Sequence, residues 1–430
     1  MSGKNLPATI SRRNFLKIAG AAACALTFPS QLLAFGDNGT SLNFSGWPAV
    51  RLGMLLPEQD ISAVLTKNFL AGFDYCLKTS GCLDAGVSIE LVRADSGGAV
   101  SVSALKKLVQ HEQVSLVTGV LNTAAASALR SFTRDEEFLL MTGSAGECIA
   151  RQKNVSPNTF NCSMNFWQAN WTMGRWAASH MGRKSVVATS VYETGYDTLE
   201  AFRLGFQSAG GTVGDTFVAD TGKGTPDFDK FFSEASSIRP DFIYALYSGQ
   251  LGVDFIKAYT ASGLAGRIPL ACSSHLLTGD VIKSMGPLAA GVKTCLPWHS
   301  DLFAPGTVDF ARNYRKETGL NLDSFGLLGY DTAGIILSAL SVTNGKTGNI
   351  KALARAFETA GFSSPRGQVT MNPKTNVTRG PLFIHEVGMA GGAPFSQAID
   401  RCTVPGESDK LISSLWASER SGWYNAYLYA

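Results

Sequence analysis

The chain has 430 residues, of which 45% are hydrophobic and 17% are charged, a composition that excludes intrinsic disorder and leaves room for two or more domains. The formal net charge is +3, but the basic residues of positions 1–34 have no acidic counterpart there. The remainder is close to neutral and has no basic clusters, which argues against a nucleic-acid partner. We find no stretch that approaches the roughly 20 apolar residues of a membrane span, so no polytopic membrane protein is predicted.

The first 34 residues have the pattern of a secretory signal. A basic segment is followed by a modest apolar core at residues 18–28 and by small residues near Ala34. Within the basic segment, Arg12-Arg13 followed by Asn-Phe-Leu-Lys resembles the twin-arginine export signal, which delivers folded proteins across the bacterial inner membrane. A signal-anchor helix is the alternative, and the shortness of the apolar core disfavours it. We expect a signal peptide over 1–34, a polar leader over 35–48, and a mature protein in the periplasm.

That compartment permits disulfides. Cys76 and Cys82 lie six positions apart at an expected helix end, and we predict a link between them. Cys148 and Cys162 bracket a polar loop and are the second candidate pair. The sequence has no Cys-x-x-Cys spacing and its histidines are far apart, so no metal is expected.

From residue 49 onward, short apolar runs alternate with segments whose apolar residues recur every three or four positions, the spacing of helices. The predicted strands are 50–56, 88–93, 114–119, 137–141, 184–190, 212–218, 241–247, 268–272, 291–296, 368–370 and 381–385. The predicted helices are 61–79, 101–112, 123–133, 167–181, 196–209, 226–237, 250–263, 306–316, 323–343 and 349–360.

This alternation predicts an α/β protein with parallel sheets that are covered by helices on both faces. The strands are too many for one sheet of ordinary size. We therefore expect two doubly wound, Rossmann-like lobes between which the chain crosses more than once. No third domain is expected after residue 388.

Motifs for nucleotide or hydrolase chemistry are missing from the sequence. The first strand is not followed by G-x-G-x-x-G, and neither a phosphate-loop lysine motif nor a G-x-S-x-G elbow is present. The nearest sequence to that elbow, 143–146, lacks the spacing. We therefore predict no catalysis and no cofactor.

The loops that follow two of the predicted strands carry small polar residues at or near the starts of helices. Asn122 and Thr123 follow the strand 114–119, and the amides of the next turn, beginning at Ala124, are placed to receive a carboxylate. The loop 142–147 exposes further amides after the next strand. Ligands of open α/β sheets bind outside the carboxyl ends of the strands, where both loops would lie. A plain helix cap at Thr123 is an equally good interpretation.

Several collinear segments resemble one known family. They are Tyr192–Asp197, Ser208–Gly211, Pro240–Tyr244 and Gly329–Ala333. In their order they are similar to the type I periplasmic substrate-binding proteins of ABC importers, within the group that binds the branched-chain amino acids Leu, Ile and Val. The resemblance extends from about residue 50 to residue 387.

This resemblance implies two lobes joined by a three-strand hinge, with the ligand bound in the cleft and enclosed by hinge bending. It implies a first lobe of 49–166 plus 297–374. The second lobe is then 167–296 plus 375–430, including a C-terminal extension.

The resemblance also implies where the ligand binds. Thr123 falls where the family holds the ligand carboxylate, whereas Ser274 falls where the branched-chain group has an acid for the ligand ammonium. We therefore expect simple carboxylates or amides to bind at least as well as aliphatic amino acids, unless Glu147 replaces that acid. Trp167 and Trp171 face either the cleft or, as their spacing favours, the core. The candidate ligand-binding residues are Asn122, Thr123, Ala124, Ala145, Glu147, Thr194, Tyr196, Tyr247, Ser248 and Ser274.

The function implied is the periplasmic solute-binding component of an ABC importer, acting as a monomer with a membrane permease as its transient partner. A periplasmic ligand sensor of the same fold is the main alternative. An exported α/β enzyme is the third, and it lacks a recognisable nucleophile.

Overall fold

The computed structural model describes residues 42–57, 62–95, 102–121, 129, 132–133, 137–143, 156–190, 198–219, 226–274, 276, 282, 284–298, 305–402 and 410–411. The predicted export signal lies outside these residues. Within them the chain forms two sheets, each flanked by helices.

The strands and helices follow one another much as the sequence predicts. The strands are β1 (Val50–Leu56), β2 (Ile89–Asp95), β3 (Leu116–Gly119), β4 (Leu139–Thr142), β5 (Thr159–Asn161), β6 (Lys184–Ser190), β7 (Thr212–Ala219), β8 (Phe242–Leu246), β9 (Leu270–Cys272), β10 (Lys293–Leu296), β11 (Gly361–Ser364), β12 (Gly367–Asn372), β13 (Val377–Arg379), β14 (Leu382–Ala390) and β15 (Ala393–Cys402). The helices are α1 (Ser62–Thr79), α2 (Val102–Lys106, continued by a π-helical turn to His111), α3 (Phe166–His180), α4 (Thr198–Ser208), α5 (Phe228–Ile238), α6 (Gly249–Ala261), α7 (Pro305–Thr318), α8 (Ser324–Val342) and α9 (Ile350–Glu358).

The first sheet has eight strands in the order β11-β12-β13-β5-β4-β3-β1-β2. Neighbours from β13 to β2 are parallel, and β11 and β12 add an antiparallel hairpin at one edge. The second sheet has seven strands in the order β15-β14-β10-β9-β8-β6-β7. Its strands from β10 to β7 are parallel, and β14 and β15 extend it in antiparallel pairing. The expected pair of doubly wound lobes is therefore confirmed.

The chain passes between the two sheets three times. The first crossing segment is residues 162–165, between β5 and α3, and the third is residues 380–381, between β13 and β14. The second crossing segment leaves β10 at residues 297–298 and returns the chain to the first lobe. Because β13 belongs to the first sheet, the last crossing lies later than the boundary expected after residue 374.

Four strands were not predicted from the sequence: β5, β11, β13 and β15. β5 and β13 have only three residues each, too short for a period-two pattern to appear. β11 and β15 carry mostly polar or small residues in partly exposed positions, so they resemble loops in composition. Their places in the sheets depend on pairing with distant strands, which sequence periodicity does not report.

α8 corrects the expectation that no segment approaches a membrane span. Among the described residues, α8 is the one helix that is long enough and apolar enough to cross a bilayer, judged by length and composition alone. In the structure 83% of its most apolar window is buried. Its residues belong to the apolar core of the first lobe, together with α1 and the first sheet. The segment therefore has the surroundings of a core helix.

α1 and α8 cross in direct backbone contact. A Cβ atom at Gly72 would overlap the carbonyl oxygen of Gly326, and one at Gly329 would overlap the carbonyl oxygen of Phe69. The absence of side chains at these glycines lets the two helices approach closely. The contact places α8 against the core that α1 forms with the first sheet.

We predict that Gly72→Ala destabilises the protein by about 1–3 kcal/mol, because overpacking forces the two helices apart. Helix propensity alone would favour alanine by about 0.5–1 kcal/mol, so the sign of the effect is informative. Urea unfolding measures it, and Gly348→Ala is the matched control, since a Cβ there meets no atom within 4 Å. A Gly72→Ala protein at least as stable as the wild type would show that the helices do not pack as described.

Candidate functional site

The carboxyl ends of the parallel strands in both sheets lie on the side where the chain crosses. The first crossing segment leaves the carboxyl end of β5, and the second leaves the carboxyl end of β10. The third connects the carboxyl end of β13 to the start of β14, which pairs antiparallel with β10. These are the edges at which open α/β sheets bind ligands, and the three crossings bring the two edges together.

In the second lobe this edge carries buried hydroxyl groups. Ser273 and Ser274 follow β9 directly and are only 2% and 4% exposed. The Ser273 amide donates to the carbonyl of Ala245 at 2.9 Å, which fixes the turn beside β8. Neither serine hydroxyl has a hydrogen-bond partner within the part of the chain that the structure describes. Buried polar groups without partners are uncommon, and at such an edge they are suited to a ligand.

Tyr247 and Ser248, two other predicted site residues, follow β8. The Tyr247 ring is fully buried and packs against Phe228 and Phe255, with centroids 5.7 and 4.8 Å away. The ring therefore belongs to the apolar core of the second lobe. Ser248 is partly exposed and begins α6 with an extended backbone.

In the first lobe the chain turns sharply after β3. Val120 has φ of 57°, a left-handed conformation that is strained for a β-branched residue. Its amide donates to the carbonyl of Leu55 at 2.7 Å, which holds the turn against β1. This turn leads directly to Asn122 and Thr123, which are outside the described residues. Backbone strain of this kind is characteristic of functional loops.

Asn161 is a candidate site residue that the sequence did not suggest. It ends β5, is 2% exposed, and accepts a hydrogen bond from the Thr142 hydroxyl at the end of β4, at 3.0 Å. The side-chain amide nitrogen of Asn161, Nδ2, is buried and has no partner among the described residues. The signal would have been a polar side chain ending a strand, but this three-residue strand was itself not recognised.

The described residues that directly follow β3, β4, β5, β8 and β9 carry no charged side chain. Hydroxyls, amides and backbone groups therefore make up the polar part of these five strand ends. Such groups can donate to a carboxylate, but none of them can neutralise an ammonium group as an acid would.

Burial raises the pKa values of the cysteine thiols near these strands. Burial raises the pKa of Cys162 to about 12, with Asp331 adding to the shift. Burial likewise raises the pKa of Cys272 and Cys295. A nucleophilic thiol needs a lowered pKa. The described residues also contain no cluster of three potential metal ligands.

The predicted disulfide between Cys76 and Cys82 is not formed in the structure. Both residues are buried free thiols. Cys82 Sγ donates to the carbonyl oxygen of Leu77 at 3.3 Å, while Cys76 packs in the core of the first lobe. Cys162 is also a free thiol, and its suggested partner, Cys148, lies outside the described residues.

Most of the other predicted site residues are also outside the described residues: Asn122, Thr123, Ala124, Ala145, Glu147, Thr194 and Tyr196. Trp167 and Trp171 are described, and they are 1% and 2% exposed. They pack against Ala201 and Leu204 of α4 and against Leu411. Their environment is therefore a core, as their spacing favoured.

Comparison with known proteins agrees with this architecture. The sequence model of the family described as "Periplasmic binding protein" matches residues 49–393. Among curated proteins, "Leu/Ile/Val-binding protein homolog 6" of Brucella melitensis biotype 1 is 26% identical over 350 residues, which are 79% of this chain and 88% of the relative.

Solved structures show the same fold. A solute-binding protein of an ABC transporter from Rhodopseudomonas palustris BisB5, in complex with 3,4-dihydroxybenzoic acid, superposes with a TM-score of 0.71 at 23% identity, covering 84% of this chain and 99% of that one. The ABC transporter substrate-binding protein from Sphaerobacter thermophilus gives 0.76 at 23% identity, covering 83% and 98%. The leucine-, isoleucine-, valine-, threonine- and alanine-binding protein from Brucella ovis, in a closed conformation, gives 0.73 at 18% identity, covering 83% and 96%.

The unpartnered hydroxyl of Ser274 leads to a prediction about the free energy of unfolding. A buried hydroxyl without a partner costs about 1–3 kcal/mol, so Ser274→Ala should leave the free energy of unfolding unchanged or raise it in the absence of any solute. Ser338→Ala is the control, because the Ser338 hydroxyl donates to the Gly361 carbonyl at 2.9 Å and accepts from its amide at 3.1 Å. That variant should lose about 0.5–1.5 kcal/mol. Equal destabilisation of the two variants in urea unfolding would contradict the assignment of Ser274.

Proposed function

Because the chain belongs to the periplasmic binding protein family, we propose that it captures a small carboxylate-bearing solute in the periplasm for an ABC importer. Its fold is that of the type I binding proteins, with two lobes whose ligand-binding edges face each other. The permease of the importer is its transient partner, and we expect the binding protein itself to act as a monomer.

The observation that carries this proposal is the set of unpartnered polar groups at those edges. Ser273 and Ser274 offer hydroxyls from the second lobe, and Asn161 offers an amide nitrogen from the first. Each of these groups loses its hydrogen bonds to water when it is buried. A ligand that supplies an acceptor would restore a hydrogen bond to each of them. A solute between the lobes would satisfy groups of both lobes at once and so favour the closed arrangement by its differential affinity.

The solute class follows from the lack of charged side chains directly after β3, β4, β5, β8 and β9. Zwitterionic amino acids need an acid for the ammonium, and an unpaired charge in a closed cleft is costly. Hydroxyl and amide donors suit a carboxylate without that requirement. The R. palustris neighbour described above binds an aromatic acid, whereas the B. ovis neighbour binds amino acids, so the fold accommodates both classes.

We propose that the described residues act together with loops of both lobes. Thr123 and the amide of Ala124 would hold the carboxylate, with Asn122 ordering the turn and the backbone of Ala145 contributing from the next loop. The second lobe would contribute Thr194, Tyr196, Ser248 and Ser274. Glu147 is the one candidate that could replace the missing acid.

Neither alternative function gains support. The neighbours from R. palustris and S. thermophilus are binding proteins of ABC transporters, which favours transport over a sensing role. An enzyme with a cysteine nucleophile would need a lowered thiol pKa, and the pKa values of Cys76, Cys162, Cys272 and Cys295 are raised instead.

A thermal-shift screen of the mature protein tests the function. The panel contains aromatic acids, aliphatic carboxylates, dicarboxylates, amides and free amino acids. A true solute at 100 times its dissociation constant stabilises the folded state by about 2.7 kcal/mol, and we expect carboxylates to do so at least as well as leucine, isoleucine or valine. A panel without any stabilising compound would contradict the proposed function.

Calorimetry on variants then separates function from solute class. Thr123→Ala should weaken carboxylate binding by about 1.5–3 kcal/mol, the value of a hydrogen bond to a charged group. Glu147→Gln is the control and should leave carboxylate affinity unchanged. Tight valine binding that collapses in Glu147→Gln would show that Glu147 supplies the acid, and the solute class would then be wrong while the function stood.

For export we propose the twin-arginine route. The motif at Arg12 and Arg13 supports it, and so do the buried free thiols of the described residues, because a protein that folds before export completes its core in the reducing cytoplasm. Replacing both arginines by lysine should keep the protein in the cytoplasm, as cell fractionation would reveal. Unchanged periplasmic yield of that variant would contradict this route.

A further inference from the structure

The guanidinium group of Arg366 lies where the crossing segments meet. Arg366 is in the turn between β11 and β12, and it lines a small cavity together with Ser163 of the first crossing segment and Trp298 of the second. It also abuts the third, since a Cβ at Gly380 would lie 2.5 Å from its Nη1 atom. The Arg366 side chain, which belongs to the first lobe, therefore lies next to all three crossing segments.

A buried ion pair fixes this side chain. Arg366 Nε donates to Asp331 Oδ2 of α8 at 2.7 Å, and both side chains are 2% exposed. The Ser364 hydroxyl donates to the other carboxylate oxygen at 2.6 Å. Burial raises the pKa of Asp331, and the charge of Arg366 opposes that shift. Both oxygens of the carboxylate are thus engaged, and the charges of the pair compensate each other.

Two donors beside the cavity remain without an acceptor. Arg366 Nη1 and Trp298 Nε1 are buried, and neither has a hydrogen-bond partner within the described residues. Both residues line the same cavity, which measures about 10 Å³. A space of about 10–15 Å³ holds one water molecule, provided that polar partners surround it.

The charge balance decides between a neutral and an anionic acceptor. Asp331 already neutralises Arg366, and the carboxylate lines the same cavity. An anion placed there would face this carboxylate in a poorly solvated site, which is unfavourable. A neutral acceptor meets the two donors without that repulsion.

We propose that this hinge cavity binds one ordered water molecule, which accepts hydrogen bonds from Trp298 Nε1 and Arg366 Nη1. The water joins the second crossing segment to the β11–β12 turn and, through Arg366, to α8.

Water contacts of the indole groups in deuterated, tryptophan-labelled mature protein test this site without any solute. The Trp298 resonance is identified as the one missing from Trp298→Phe. We expect it to show a dipolar cross-peak to water, with opposite signs in the laboratory-frame and rotating-frame experiments, as a long-lived bound water gives. Trp171 is the internal control, because its indole nitrogen is equally buried and unpartnered but does not line this cavity.

Two results would overturn the proposal. They are the absence of a dipolar water cross-peak at Trp298 and a saturable shift of the Trp298 resonance with chloride at constant ionic strength. The last would identify the acceptor as an anion. Arg366→Lys adds a second measurement, because lysine keeps the charge beside Asp331 but lacks the second planar donor. If this variant folds, its Trp298 water cross-peak should be lost, and an unchanged peak would also contradict the site.

Discussion

The three crossings between the sheets constrain the rest of this molecule. The strands β11 to β13 complete the first sheet, although they follow β6 to β10 of the second sheet in the sequence. The second sheet is in turn completed by β14 and β15, which come last. Neither lobe is therefore a continuous piece of chain, and their folding depends on contacts between distant residues. The same crossings leave from carboxyl ends of strands, so they bring the carboxyl-terminal edges of the two sheets together.

Close packing in the first lobe supports this arrangement. α8 contacts α1 through glycines and carries Asp331, which pairs with Arg366 next to the crossing segments. A buried ion pair adds little net stability by itself, but removing one partner leaves an uncompensated charge that costs about 3–5 kcal/mol. The pair thus specifies where the β11–β12 turn docks, and it links the core helix of the lobe to the hinge.

Much of the fold could be predicted from the sequence, whereas little of the site could. β8 is a continuous apolar run and was recognised, but β5 was missed because three residues show no periodicity. Asn161 was overlooked with it. Tyr247 was expected in the pocket and packs in the core, since a sequence does not reveal which face of a doubly covered sheet a side chain takes. The predicted Cys76–Cys82 disulfide is not formed in the structure. Sequence separation does not show where two side chains point.

The central claim is that a solute draws together two lobes whose polar edges are incomplete without it. Small-angle X-ray scattering on the mature protein, with and without a solute whose saturation is verified by calorimetry, tests this most directly. The account predicts that the radius of gyration falls on binding, because the lobes close about the three crossing segments. A radius that stays the same at full saturation would contradict it.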